Sequence, residues 1–247
     1  QEITLINPNT GTCPVFRSRR DAEVTIGIYK RIPVLIREGE SQGNPWGVKF
    51  MTMFHMSNDS SLFRTREQLE GDGWILQGNV FHEGKQQMLP LYEAKMIHHY
   101  DNRWATFEPD GSAHEVTTEA KIEEDSVAIP RYWVDKREVD ERLQGRWDRK
   151  SLLGFRNIAR STDVRTLIAA SIPRTAVGHS MPLVASNDDA FVQGAFTSFV
   201  LDYVLRQKLG GTNLTYNYMQ QLPLPHPVVV HGKCAWSDDM VSEWIKD

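Results

Sequence analysis

The chain has 247 residues, 40% hydrophobic and 24% charged, with a formal net charge of -4, so it has the length for a sizeable core and the composition of a globular protein. No run approaches eighteen apolar residues, which excludes a membrane-spanning helix, and no charged-then-apolar leader opens the sequence. Two cysteines, Cys13 and Cys234, stand near opposite ends and read as free thiols of a reducing compartment, with the cytoplasm as the expected location.

Residues 1–16 hold Asn7, Pro8, Asn9, Gly11 and Pro14, turn formers that exclude regular structure. Ser18 then caps a helix carrying Ala22, Ile26 and Tyr29 on one face, which Pro33 ends. Arg17, Arg19 and Arg20 crowd its start. Cations there oppose the positive end of the helix dipole, so they are either solvated or turned towards a negative partner.

Between Ile36 and Tyr100 glycines and prolines break short apolar runs, and RTREQLEGDGW reads as a helix end followed by a turn. QMLPLYEAKMIHHYDNRWATFE reads as one or two strands with a turn at Asp101-Asn102, its Tyr92, Trp104 and Phe107 packing in a core. Residues 108–125 carry seven acids against Lys121 and read as a solvated acidic insertion. In IPRYWVDKREVDERL a short strand leads to Asp135, which caps a helix bearing Val139 and Leu143.

From Arg142 to Arg174 the balance reverses, with eight basic residues against Asp148 and Asp163. Such a concentration on a mildly acidic chain is what a polyanion-facing surface requires. TLIAASI, 166–172, reads as a strand buried on both faces. Asp188 to Leu209 reads as one long helix: acids in its first turn, Arg206 and Lys208 in its last, Gly210-Gly211 beyond it, and Val192, Phe196, Phe199 and Tyr203 facing the core. Residues 213–222 read as a short second helix or a turn before LPLP, and 226–247 as a tail with room for one amphipathic helix. The fold expected is α/β, a twisted mixed sheet packed by helices, over a single domain at 1–225.

Catalytic signatures are sparse. There is neither a glycine-rich donor loop nor an Asn-Pro-Pro-aromatic turn for a flipped adenine. Glu93-Ala94-Lys95 has the Glu-x-Lys form of a metal-dependent nuclease, with Asp72 as a conceivable second ligand. The histidines and cysteines lack ligand spacing. A binding chemistry remains, with Arg and Lys for phosphates and guanine edges and Asn, Thr and Tyr for adenine and phosphate.

The stretches INPNTGTCPVFRSRRDAEVTIGIYKRIPVL, LPLYEAKMIHHYDNRWATF, PRYWV, LLGFRNIARSTDVRTLIAASIPRTAVGHSMPL and FVLDYVLRQKLGGTNLTYNYMQQLPLP resemble the region that follows the catalytic domain in large bacterial N6-adenine DNA methyltransferases. That family serves restriction-modification and related phage-defence systems and includes fused type IIG-like enzymes. The resemblance spans about Ile6 to Pro225, leaving out the acidic insertion and the tail. It implies a target recognition domain that clamps double-stranded DNA and reads base edges, while a separate N-terminal methyltransferase domain holds S-adenosylmethionine; no catalytic residue, metal or cofactor is expected in this chain. The family does not say which residues read bases. Chemistry selects Arg149, Lys150, Arg156, Arg160 and Arg174 on the basic segment, Lys208, Thr212 and Asn213 at the turn after the long helix, Tyr216 nearby, and Arg19 and Arg20 as a secondary contact. The alternatives are a Mg²⁺-dependent nuclease centred on Glu93 and Lys95, and a protein-docking domain without DNA binding.

Overall fold

The structure, a computed structural model, describes residues 2–234 and 237–240. In chain order the helices are α1 (Glu2–Ile6), α2 (Arg19–Tyr29), α3 (Arg66–Gly71), α4 (Thr118–Ile122), α5 (Lys136–Leu143), α6 (Asp189–Thr197), α7 (Phe199–Lys208), α8 (Tyr216–Gln220) and α9 (Pro227–Val230). The strands are β1 (Lys49–Met51), β2 (Ile75–Gln77), β3 (Val80–Glu83), β4 (Gln86–Tyr92), β5 (Ala105–Phe107), β6 (Ala113–Glu115), β7 (Trp133–Asp135), β8 (Ser151–Phe155), β9 (Ala169–Pro173), β10 (Ala176–Val177) and β11 (Leu183–Ala185). The chain folds as two compact units: unit 1 is Gln1–Phe50, Asn157–Ile168 and Ala185–Asp247, and unit 2 is Met51–Arg156 and Ala169–Val184. Residues 1–225, expected above as one module, contribute to both.

Unit 2 holds most of the strands. β4 lies at the centre of one sheet, with β3 and β7 antiparallel on either side, β2 beyond β3, and β10 added in parallel through Ala176 and Val177. The α/β class with mixed sheets packed by helices is therefore what the chain adopts. β4 reads QQMLPLY and buries Met88, Leu91 and Tyr92; Leu69 of α3, Phe81 of β3 and Trp133 of β7 complete a cluster with Met88. Trp133 meets Phe81 edge to face at 5.0 Å and donates its indole N–H to the Asn79 carbonyl at 2.8 Å, so its polar atom is answered where the ring is buried. β8 pairs antiparallel with β9 from Ser151↔Pro173 to Phe155↔Ala169, and with β11 on its other side. The buried strand expected at 166–172 thus starts three residues later.

One local expectation, the cap at Asp135, is met by side-chain chemistry, and a second cap appears where a helix end was expected. Asp135 caps α5 by accepting from the Arg137 N–H at 2.8 Å. Thr65 and Gln68 of α3 form a reciprocal capping box. The turn expected at Asp101-Asn102 falls slightly earlier, in a His98–Asp101 bridge whose Tyr100 adopts φ +56°. The acidic segment, read as a solvated insertion, supplies β6, which pairs with the preceding β5, and then α4.

Unit 1 is mainly helical. Ser18 caps α2, its hydroxyl accepting from the Asp21 N–H at 3.1 Å. The long helix expected over Asp188–Leu209 is two helices. Ser198 sits between them in extended backbone and accepts from the Leu201 N–H at 3.2 Å, ending α6 and capping α7. Phe199, read as core, consequently stands 79% exposed at the first position of α7, while Val192, Phe196, Val204 and Leu205 are buried. Trp46 stacks on Phe191 at 4.6 Å, and residues 33–36 run against 220–224 through backbone bonds such as Leu35 N–H to the Leu222 carbonyl at 2.8 Å. In the tail, residues 227–230 form one turn; the rest of the helix expected there falls partly on 235, 236 and 241–247, which lie outside the described residues. Cys13 and Cys234 are not joined in a disulfide.

Candidate nucleic-acid interface

In unit 1 two stretches separated by fifty residues of sequence meet. Residues 157–159 run antiparallel to 212–214: the Leu214 N–H donates to the Asn157 carbonyl at 2.6 Å, the Ala159 N–H to the Thr212 carbonyl at 3.1 Å, and Ile158 faces Asn213. This places exposed Arg160 beside exposed Thr212 and Asn213, with the open Gly210-Gly211 backbone leading into them. The turn that carries Arg160 is built by Asp163, whose carboxylate accepts the Arg160 N–H at 2.8 Å. Asp163 thus works on the backbone, and among the described residues no ion pair engages the Arg160 guanidinium.

Beneath this turn lies Asp202, 4% exposed. Its carboxylate accepts the Thr166 and Leu167 N–H groups at 2.7 and 2.9 Å, and pairs with Arg206 at 2.8 Å and Arg165 at 3.5 Å. Burial pushes its pKa up, but the backbone donors and the Arg206 guanidinium outweigh that and hold it below the usual carboxylate value. Arg165 and Arg206 are therefore structural cations, and Arg206 also donates to the Val164 carbonyl at 2.6 Å.

The start of α2 belongs to the same neighbourhood. Arg17 donates to the Ser161 hydroxyl at 3.4 Å, and Tyr203 of α7 donates to Asp21 at 2.8 Å. Arg19 and Arg20 are exposed in the first turn, Arg19 paired with Glu23 at 2.8 Å. Tyr216 is half-buried and stacks on Phe50 at 5.0 Å.

Lys208 differs from the surface contact expected of it. Its ammonium is buried in unit 1 and donates to the Ile6 carbonyl, the Tyr29 hydroxyl and the Gln221 carbonyl at 2.9, 2.9 and 2.7 Å. Burial pulls its pKa down to about 7. A last-turn lysine looks the same in sequence whether it points out or in.

The remaining candidates belong to unit 2, so the contiguous basic run is divided between the units. Arg149 and Lys150 are exposed ahead of β8. Arg156 is half-buried and donates to the Ile97 carbonyl at 3.0 Å, and Arg174 donates to the Trp147 carbonyl at 2.7 Å and pairs with Asp140 at 3.5 Å. Both arginines tie backbone together. The Glu93 carboxylate is forked by Arg131 at 2.8–3.2 Å, and Asp72 pairs with Arg64. Among the described residues no three His, Cys, Asp or Glu side chains gather as a metal-ligand set.

Sequence reasoning missed one feature of unit 1, a cavity of about 590 Å³ between the 7–17 segment, the end of α7 and α8. Its signal was the turn cluster Asn7–Pro14 followed by Arg17. Sequence reasoning also missed a stacked His55–His179 pair in unit 2, rings 4.6 Å apart, in which burial first and the His55 charge second lower the His179 pKa. No protein-family model matches the chain, and no curated protein matches it.

Proposed function

We propose that the chain is a sequence-specific double-stranded DNA recognition module of an N6-adenine DNA methyltransferase or restriction-modification enzyme, whose catalytic domain and S-adenosylmethionine lie outside it. The observation that supports this reading best is the pairing of 157–159 with 212–214, which sets Arg160 next to Thr212 and Asn213 on an exposed edge. An unpaired guanidinium suits the O6 and N7 acceptors of guanine or two phosphate oxygens, and an asparagine amide suits the N6 and N7 of adenine. Ile158, 63% exposed, and Val164, 95% exposed, add apolar surface of the kind that meets a thymine methyl. Arg19, Arg20, Arg149 and Lys150 supply sequence-independent phosphate contacts. Among the described residues no helix is long and apolar enough to cross a membrane, and the cytoplasm, where a bacterial chromosome lies, is the location this function requires.

The test is duplex binding by the parent protein across a salt series. Arg160→Ala and Asn213→Ala are expected to weaken the cognate duplex by about 1–3 kcal/mol each and to relax the methylated motif at one position. Arg19→Ala is expected to weaken all duplexes alike and to lower the salt slope by about one. An unchanged motif and affinity in Arg160→Ala and Asn213→Ala would reject this edge as the reading surface.

A further inference from the structure

The cap at Ser198 puts an aromatic ring into water. Phe199 holds the first position of α7 and is 79% exposed, although an unbroken helix through the same apolar period would have turned it to the core. Val200 beside it and Val164, next to the arginine that covers the ring, are exposed as well. Exposed apolar side chains that gather in one place mark a contact surface.

One face of the ring is already taken. The Arg165 guanidinium lies over it, 4.7 Å from the ring centroid, within the range of a cation–π pair. That guanidinium is fixed from behind, donating to the Thr197 carbonyl at 2.6 Å and pairing with Asp202 at 3.5 Å. The ring is thus backed by a held, flat cation, and its remaining surface is open.

The backing selects what the open face accepts. A cation on one face has drawn on the π density, so a second cation gains little on the other, and an anion is repelled by the negative face of the ring. A flat neutral π surface remains. Charge around the ring says what that surface should be joined to: Arg160, Arg165 and Arg206 stand against the carboxylates of Asp163 and Asp202, one positive charge in excess. A flat ring that carries negative charge on a neighbouring group is a nucleobase on its phosphodiester.

We propose that Phe199, backed by Arg165, is a stacking platform for an unpaired nucleobase of a single strand. Every base has a π face, so such a platform is tolerant of sequence, and the strand's phosphates suit the cationic surround. The inference does not rest on duplex recognition, because it asks for an unpaired base and not for the edge of a base pair.

Anisotropy titration of the full chain with a labelled thymidine decamer and the matching abasic decamer tests it. The abasic strand is expected to bind roughly tenfold more weakly than the thymidine strand, the value of one base stacked on an aromatic ring. Phe199→Ala and Phe199→Leu, at an exposed position, are expected to weaken the thymidine decamer by the same factor and to leave the abasic one unchanged, while Phe199→Trp keeps wild-type affinity or improves on it. Absence of decamer binding at millimolar concentration overturns the proposal, as does equal affinity of the wild type for the two strands. Wild-type affinity in Phe199→Leu also overturns it and assigns the ring to an apolar protein partner. Duplex binding that persists beside a decamer indifferent to Phe199 rejects this platform alone; decamer binding that needs Phe199, without duplex binding, upholds the platform and rejects the duplex reading.

Discussion

The Lys208 ammonium lies 2.9 Å from the Tyr29 hydroxyl, and that hydroxyl donates in turn to the Gln221 carbonyl at 2.6 Å, the same oxygen that Lys208 reaches at 2.7 Å. Three parts of unit 1, the 6–29 region, the end of α7 and the end of α8, are joined at this triangle. Burial also raises the Tyr29 pKa, so its phenol stays protonated as a donor.

The triangle makes stability depend on pH. Lys208 has a pKa of about 7 in the folded chain and about 10.4 unfolded. Between those values the unfolded state binds the extra proton, so unfolding free energy rises with pH across that window. Below about 7 both states are protonated and the penalty is fully present. At about 1.4 kcal/mol per unit the span amounts to several kcal/mol. Urea midpoints of the wild type and Lys208→Met, taken from pH 7 to 10, should diverge, the wild type gaining; parallel curves would show that Lys208 keeps its charge.

Asp202→Ala should be the most damaging single change in unit 1. It strands the half-buried Arg165 and Arg206 charges and orphans the Thr166 and Leu167 N–H groups, at a cost of about 3–5 kcal/mol. The folded pKa lies below the unfolded one, so this contribution is present above about pH 3.9 and fades as acid carries the pH down through the folded value. An acid-unfolding midpoint that Asp202→Asn leaves in place would contradict this.

Glycines separate by what a methyl group would meet. At Gly43 an added Cβ would lie 1.9 Å from the carbonyl oxygen of Arg37, the residue whose N–H donates to the Gly43 carbonyl at 2.7 Å, so Gly43→Ala forces the 37–43 turn open. A loss of about 2 kcal/mol or more is expected from such overpacking. Gly210 faces open space, and Gly210→Ala should stay within about 0.5 kcal/mol of wild type. Equal midpoints for the two variants would refute the distinction.

Ser198→Ala removes the hydroxyl that caps α7 and should cost about 1 kcal/mol, read as a lower thermal midpoint. A variant as stable as the wild type would mean that packing alone sets the break between α6 and α7.

Ser198 also shows what sequence could not reveal. The apolar spacing through Val192, Phe196, Phe199 and Tyr203 runs unbroken across it, and hydrophobic period alone therefore reads one helix. The cap signal was present, a serine with Asp202 in the following turn, but the period concealed it. Where signals were local and unopposed, as with Ser18 before α2 and Asp135 before α5, the elements were legible to the residue. Arg160, Thr212 and Asn213 were legible as residue types, while their adjacency rests on a bridge across fifty residues that no local pattern encodes. Lys208 was misjudged for a related reason, since only the surrounding Ile6, Tyr29 and Gln221 decide which way its side chain turns.

The interleaving of the two units has a consequence for synthesis. Residues 1–50 belong with 157–168 and 185–247, so they leave the ribosome long before these partners do. At roughly 5–20 residues per second they wait on the order of ten seconds, and Tyr29, Leu35 and Trp46 meanwhile lack their later partners Gln221, Leu222 and Phe191. Unit 2, by contrast, has most of its length in one uninterrupted stretch. Nascent-chain proteolysis should therefore find residues 51–156 protected before residues 1–50, which are meanwhile a natural client for chaperones.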